Sequence, residues 1–222
     1  MSQKTIRVWD LPTRLFHWAL VACVAGLIAT GYLGGALIAW HARIGYAVLT
    51  LLLFRIVWGF VGGRWSRFIS FTYFPGAVLR YLRGQAHPDH LIGHNPLGAN
   101  SVFAMLAFLM LQVATGLIAD DEISFTGPLN RFVSTSQGLA ATWYHKQVGQ
   151  WVIVGLGLLH VLAILYYLWK KKDNLIAPML HGDKRLPAPV PPSRDDAVSR
   201  LAAAGVLAAC AGAVGWVVKL GG

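Results

Sequence analysis

From Trp143 to Trp169 the chain reads WYHKQVGQWVIVGLGLLHVLAILYYLW, an almost wholly apolar run long enough to cross a bilayer, yet it carries two histidines, His145 and His160. In a regular α-helix, fifteen residues at 100° each leave the two imidazoles about 60° apart around the axis and about 22 Å apart along it. They face one side, near opposite leaflets. Ionisable groups at membrane depth are costly unless something partners them, so two on one side point to a line of bound groups through the membrane.

The rest of the chain has the same character. Hydrophobic residues make up 56% of it and charged residues 13%, against about a quarter charged in soluble domains. The formal charge of +10 belongs to Lys and Arg flanking apolar runs, where they set orientation and meet anionic lipid, so nucleic acid is not an expected partner. Cys23 and Cys210 have neither C-x-x-C nor C-x-x-C-H spacing, which excludes a redox dithiol, a zinc site and covalent haem attachment. Spans are expected at Leu15–Ile38, His41–Val61, Ser101–Ala119 and Trp143–Trp169, with Asp10 and Pro12 starting the first helix. That first run is too long for a signal-peptide core and is expected to remain as a membrane helix. Arg64, Arg67, Arg80 and Arg83, opposed only by Asp89, place the second connection in the cytoplasm, and PGAVLRYLRG within it reads as an interfacial helix. Asp120, Asp121 and Glu122 fit the outside, and Lys170, Lys171 and Lys172 return the chain inward. The predicted fold is an all-α membrane protein: a four-helix transmembrane bundle over residues 1–184, a Pro-rich linker over 185–200, and a fifth transmembrane helix within 201–222. No convincing internal repeat stands out.

On this topology His17 lies about 10 Å in from the inner side and His160 about 13 Å, while His41 and His145 both fall near outer helix ends. Four histidines thus level into two pairs, His17 with His160 and His41 with His145, each able to clamp one b-type haem. Two imidazoles on one iron leave no open position, which favours electron transfer over activation chemistry. Gly26, Gly31, Gly45, Gly116, Gly149, Gly155 and Gly157 allow either a flat macrocycle or a neighbouring helix to approach closely. Arg55, deep in the second span, suits an inner-haem propionate, with snorkelling as the alternative. Arg14 suits the same role or that of a simple inner-leaflet charge. His87, His90 and His94 are interrupted by Pro88 and read as solvated or interface residues rather than a metal site, and His181 as a loop residue.

VWDLPTRLFHW at the first helix, LLLFRIVWGFVGG at the second, GHNPLGA before the third and DNLIAPMLHGDK after the fourth resemble the bacterial cytochrome b561 group, which includes b-type subunits of nickel-iron hydrogenases and the gamma subunit of formate dehydrogenase. The resemblance covers residues 7 to about 184. It implies two non-covalent haems b in the inner membrane, with the ligand pairing already given by depth. It further implies exchange of electrons with a quinone near the inner haem and with a redox protein at the membrane face, such as a c-type cytochrome, a dehydrogenase or a hydrogenase. Carried onto this chain, Asn95 and Asn100 become quinone-side candidates, with loop capping as the competing role. The last helix inherits no role. Two other functions compete: a self-sufficient oxidoreductase passing electrons from a small donor such as superoxide to quinone, suggested by the long outer loop, and a non-redox transporter or anchoring subunit.

Overall fold

The computed structural model describes residues 4–85, 90, 92–123, 125–187 and 190–221. In chain order these form β1 (Lys4–Arg7), α1 (Leu11–Leu33), α2 (Ile38–Val61), the short α3 (Pro75–Leu82), α4 (Pro96–Ile118) and α5 (Thr135–Trp143). A π-helical turn, Tyr144–Gly149, leads from α5 into α6 (Gln150–Tyr166), and a second one, Tyr167–Lys171, ends that helix. Then come α7 (Ile176–His181), β2 (Asp183–Leu186) and α8 (Ala197–Lys219). Five helical stretches among the described residues are long and apolar enough to cross a membrane: α1, α2, α4, α5 through the second π turn, and α8. The expected all-α membrane bundle is therefore present, with α3 on the stretch predicted to lie in the interface.

The helix boundaries have local causes. Asp10 Oδ1 accepts the Thr13 N–H at 2.8 Å, satisfying one orphan donor of α1, and Pro12 sits in the first turn, where its missing N–H costs nothing. α1 ends where Gly34 and Gly35 take φ of 60° and 55°, which a side chain would resist. Asn95 Oδ1 caps α4 through the Gly98 N–H at 2.8 Å. Ser134 and Gln137 close a capping box on α5. One element departs from the all-α expectation: β1 and β2 pair antiparallel, from Lys4 opposite Leu186 to Arg7 opposite Asp183. KTIR and DKRL are too short and too charged to announce a ribbon, and their pairing joins segments near opposite ends of the sequence.

The chain divides into two compact units. The first comprises residues 1–16, 55–104 and 158–205. Its apolar centre is Val8, Trp9, Ile92 and Leu186, and beside it the fully buried Asp10 carboxylate accepts from Thr13, from Trp58 Nε1 at 3.3 Å and from the Gly63 N–H at 2.9 Å. A side chain on Gly63 would collide with that carboxylate. The proline-rich segment is tied into this unit. Ser193 Oγ donates to the Val8 carbonyl at 2.6 Å, its N–H to that of Arg7 at 2.8 Å, and Pro191 O accepts from Trp65 Nε1 at 2.9 Å. The second unit comprises residues 17–54, 105–157 and 206–222, and its core joins Val48, Leu49 and Leu52 of α2 to Leu109, Val113 and Leu117 of α4. Val214 of α8 is 4% exposed in the same cluster, so the last helix is a core member of this unit.

Asp195 anchors the tail. Its carboxylate, 7% exposed, accepts from Arg7 Nη1 at 2.9 Å, Arg200 Nε at 3.0 Å and the Leu11 N–H at 3.1 Å. Burial pushes this carboxyl up, but the Arg200 hydrogen bond, the Leu11 N–H and the charges of Arg200 and Arg7 outweigh burial and hold it below its usual value. The unfolded chain therefore takes up this proton more readily than the folded one. The stabilisation is complete above the ordinary carboxylate pKa of about 3.9 and is lost as pH falls through the lower folded value. Asp195→Asn is expected to cost about 1–2 kcal/mol at neutral pH, the partly exposed Arg200 being screened by solvent. It should also remove part of the acid-induced loss of stability; thermal unfolding of the full chain in detergent across acidic pH reads both.

Candidate functional site

His41, in the first turn of α2, and His145, in the π turn before α6, both belong to the second unit, and their ring centres are 6.1 Å apart with planes at 74°. That separation, within the range of ordinary edge-on ring pairs, also matches a shared metal. A metal–imidazole bond is about 2 Å, and the bond lengths of a five-membered ring set its nitrogen about 1 Å from the ring centre. Two rings binding one metal from opposite sides therefore have centres about 6 Å apart.

The protonation of both rings follows from their neighbours. His41 Nδ1 lies 3.0 Å from the Leu27 carbonyl oxygen and His145 Nδ1 2.9 Å from that of Gln112. A carbonyl only accepts, so each Nδ1 carries the hydrogen and each Nε2 keeps its lone pair for a metal. A carbonyl behind the ring is the usual companion of a ligating histidine, because it fixes tautomer and orientation together. Thr30 Oγ1 at 3.3 Å and Thr115 Oγ1 at 3.2 Å stand beside the same two nitrogens.

The π turn explains how His145 is displayed. In the π turn the His145 carbonyl accepts the N–H of Gln150, five residues on, and Gln112 Nε2 donates to the same oxygen at 3.0 Å. A uniform 100° per residue therefore does not hold between His145 and His160. The predicted glycines sort by use. Gly31 and Gly116 face the two rings, where a Cβ would come within 3.2 Å of His41 Cε1 and His145 Cε1 respectively. Gly26 packs near Ile44, Gly149 makes room for Gln112, and a Cβ on Gly155 or Gly157 would meet no described atom within 4 Å. Gly45 lines a cavity of about 210 Å³ that His41 and His145 share with Val24, Leu109, Gln112 and Lys146. A largely apolar cavity with two metal-ready imidazoles suits the apolar macrocycle of a haem, and its charged lining residues are Lys146 and Asp121, of which only the ammonium suits an anionic propionate.

His17 and His160 stand on α1 and α6, in the second and first unit respectively. Arg55, in the first unit, is 3% exposed, with its guanidinium 4.7 Å from the centre of the Phe68 ring and Asp10 within electrostatic reach. Its Nη1 has no hydrogen-bond partner among the described residues. Arg14 is engaged otherwise: Nη1 donates to the Leu180 carbonyl at 2.7 Å and Nη2 lies 3.9 Å from Asp195. The two candidate asparagines are used differently. Asn95, besides capping α4, donates to Tyr167 Oη at 2.8 Å, which pairs with Tyr81 Oη at 2.6 Å. Asn100 lines a cavity of about 360 Å³ with Tyr73, Pro75, Val78, Leu79 and Leu82. His94 is packed rather than solvated, 4.5 Å from Phe71 and 4.8 Å from Trp9 between ring centres, because the loop folds onto the unit's aromatic cluster. His90 stands edge-on to Tyr73 and Tyr81, His181 is exposed and accepts the Asp183 N–H, and His87 lies outside the described residues.

Thr30, Thr115, Gln112 and Lys146 were not legible as site residues. The available signal was faint: the tripeptide Ala-Thr-Gly occurs at 29–31 and again at 114–116.

A family model described as prokaryotic cytochrome b561 matches residues 8–182. Among similar proteins, the probable Ni/Fe-hydrogenase B-type cytochrome subunit of Bradyrhizobium diazoefficiens is 26% identical over 220 residues, covering 83% of this chain and 88% of that one. The probable Ni/Fe-hydrogenase 1 B-type cytochrome subunit of Escherichia coli K12 is 26% identical over 208 residues, covering 79% and 88%. That of Azotobacter vinelandii, also named a probable Ni/Fe-hydrogenase B-type cytochrome subunit, is 26% identical over 215 residues, covering 82% and 89%.

Gly149 holds the brace behind His145, since a Cβ there would overlap the Gln112 side-chain oxygen and meet the Tyr144 ring at 2.9 Å. Gly149→Ala is expected to displace Gln112 from the His145 carbonyl and cost about 1–3 kcal/mol, the range for overpacking a filled site. A lowered thermal midpoint in detergent checks it, and an unchanged midpoint contradicts the brace.

Proposed function

Because this chain belongs to the prokaryotic cytochrome b561 family, we propose that it carries electrons on two non-covalent haems b between a quinone and a redox partner protein. At the coarser level, it is a multi-pass bacterial membrane protein of a b-type cytochrome family in electron transfer. The observation that carries the fuller reading is the pair His41 and His145, two imidazoles 6.1 Å apart with both Nδ1–H groups committed to backbone carbonyls. A haem with imidazole on both faces supplies one-electron transfer and has no vacant position for oxygen or substrate.

The residues then divide the work. His41 and His145 would hold the outer iron, and Lys146, which lines the same cavity, would supply a cation for a propionate. His17 and His160 hold the inner iron, a pairing supported by their matched depths of about 10 and 13 Å from the inner helix ends. Arg55 answers a propionate of that haem, since a buried guanidinium with an unused donor needs an acceptor. Arg14, engaged with Leu180 and Asp195, holds the tail. Asn100, the amide on an otherwise largely apolar cavity beside α3, binds a quinone carbonyl, while Asn95 serves as helix cap and tyrosine partner. The basic residues Arg64, Arg67, Arg80, Arg83 and Lys170–Lys172 support a topology with the inner-haem end and the amino terminus on the cytoplasmic side of the inner membrane. The names of the relatives support a hydrogenase as the partner, with another dehydrogenase or a c-type cytochrome filling the same role.

Purified chain is expected to bind two haems b, counted by pyridine haemochrome assay, and His160→Ala to lose one while keeping the other; equal loss of both contradicts the pairing. Asn100→Val is expected to raise the KM for a short-chain quinone roughly 2–12-fold, the worth of one neutral hydrogen bond, with haem content unchanged. An unmoved KM removes Asn100 from the quinone site.

A further inference from the structure

The tripeptide Ala29-Thr30-Gly31 on α1 and its twin Ala114-Thr115-Gly116 on α4 do the same thing to a histidine of another helix. In each case the residue three before the threonine offers its carbonyl to Nδ1, at 3.0 Å from Leu27 to His41 and 2.9 Å from Gln112 to His145. In each case the threonine Oγ1 lies beside the same nitrogen, at 3.3 and 3.2 Å, and the glycine leaves room for Cε1. The hydroxyl hydrogens are already placed. Thr30 donates to the Gly26 carbonyl at 2.7 Å and Thr115 to the Gln112 carbonyl at 2.9 Å. Each hydroxyl therefore turns a lone pair, not a hydrogen, toward the imidazole N–H.

We propose that these two turns are a matched pair of positioning devices, and that the hydroxyls of Thr30 and Thr115 set the reduction potential of the outer haem. The inference rests on the two-haem reading above. An acceptor at Nδ1–H makes the opposite nitrogen a stronger donor, which favours ferric over ferrous iron. Here each Nδ1–H faces two acceptors, a carbonyl and a hydroxyl, and the arrangement is duplicated on the two ligands of one iron. Both imidazoles would be made stronger donors, and a haem held by them would have a lower potential than a carbonyl alone would give. The threonines touch the imidazoles and not the iron, so their effect is transmitted only through the ligands.

The test uses full-length, haem-loaded protein. Thr30→Val and Thr115→Val keep the side-chain shape and remove the oxygen; Thr30→Ser and Thr115→Ser keep the oxygen. Redox titration of the visible spectrum gives both midpoints, the outer one identified by its absence from His145→Ala, and pyridine haemochrome gives the haem count. Each valine variant is expected to keep two haems and shift the outer midpoint positive, the double variant further, with the inner midpoint unmoved and serine restoring the original value. An outer midpoint unchanged in the double variant, with two haems bound, overturns the inference and leaves the two-haem reading intact. So does a shift shared equally by both haems, or a loss of haem that serine does not restore. Fewer than two haems in the unsubstituted chain overturns the two-haem reading itself, and the inference with it.

Discussion

A carbonyl oxygen can accept a hydrogen bond and cannot give one, and two such oxygens, on Leu27 and Gln112, decide the state of His41 and His145. Each imidazole is fixed as the tautomer that a metal needs. The rest of the second unit serves that arrangement. Glycines 31 and 116 leave room for the two rings, and Gln112 braces the π turn by donating to the His145 carbonyl, which also accepts the Gln150 N–H. The contacts of Leu109, Val113 and Leu117 with Val48, Leu49 and Leu52 hold α4 against α2, and Val214 seals the cluster from the last helix. α8, which has no counterpart in the motifs shared with the family, thereby acquires a structural role.

The first unit is organised around charge rather than around imidazoles. Asp10 is wholly buried, and it is tolerated because a helix N-terminus, an indole and a backbone N–H all donate to it. Arg55 is its nearby cation. Around them the chain's two ends are laced together by the β ribbon, by Ser193 and by Asp195 with its arginines. The proline-rich segment suits this use, because it keeps few competing N–H groups of its own and adopts extended backbone readily.

Much of the fold was legible because membrane spanning leaves a coarse signature. Runs of apolar residues of bilayer length, bounded by Arg, Lys and Asp, marked the five spans, and Asp10, Pro12 and Gly34 marked ends through ordinary capping and turn chemistry. The fourth helical stretch, however, begins at Thr135 rather than at the expected Trp143, because the polar α5, capped by Ser134 and Gln137, runs into it where a connection was expected. The ribbon was not legible, since short charged segments gain their pairing only from a partner far along the chain. The packing of His94 was hidden for a similar reason: a loop histidine reads as solvated until an aromatic cluster folds against it. Asn95 and Asn100 looked equivalent in GHNPLGAN, and only their neighbours separate a helix cap from a cavity wall.

By itself, then, the sequence determined that this is a multi-spanning membrane protein and where charged residues bound its apolar runs. These are properties of a single helix in a bilayer, where hydropathy and periodicity suffice. Only the tertiary structure decided that His41 and His145 approach to 6.1 Å, that Thr30, Thr115 and Gln112 stand behind them, and that the carboxyl-terminal segment is bound to the amino terminus. Those facts depend on contacts between side chains and backbone far apart in the chain, and a carbonyl or a threonine inside an apolar run carries no mark in the sequence of the ring that it will meet.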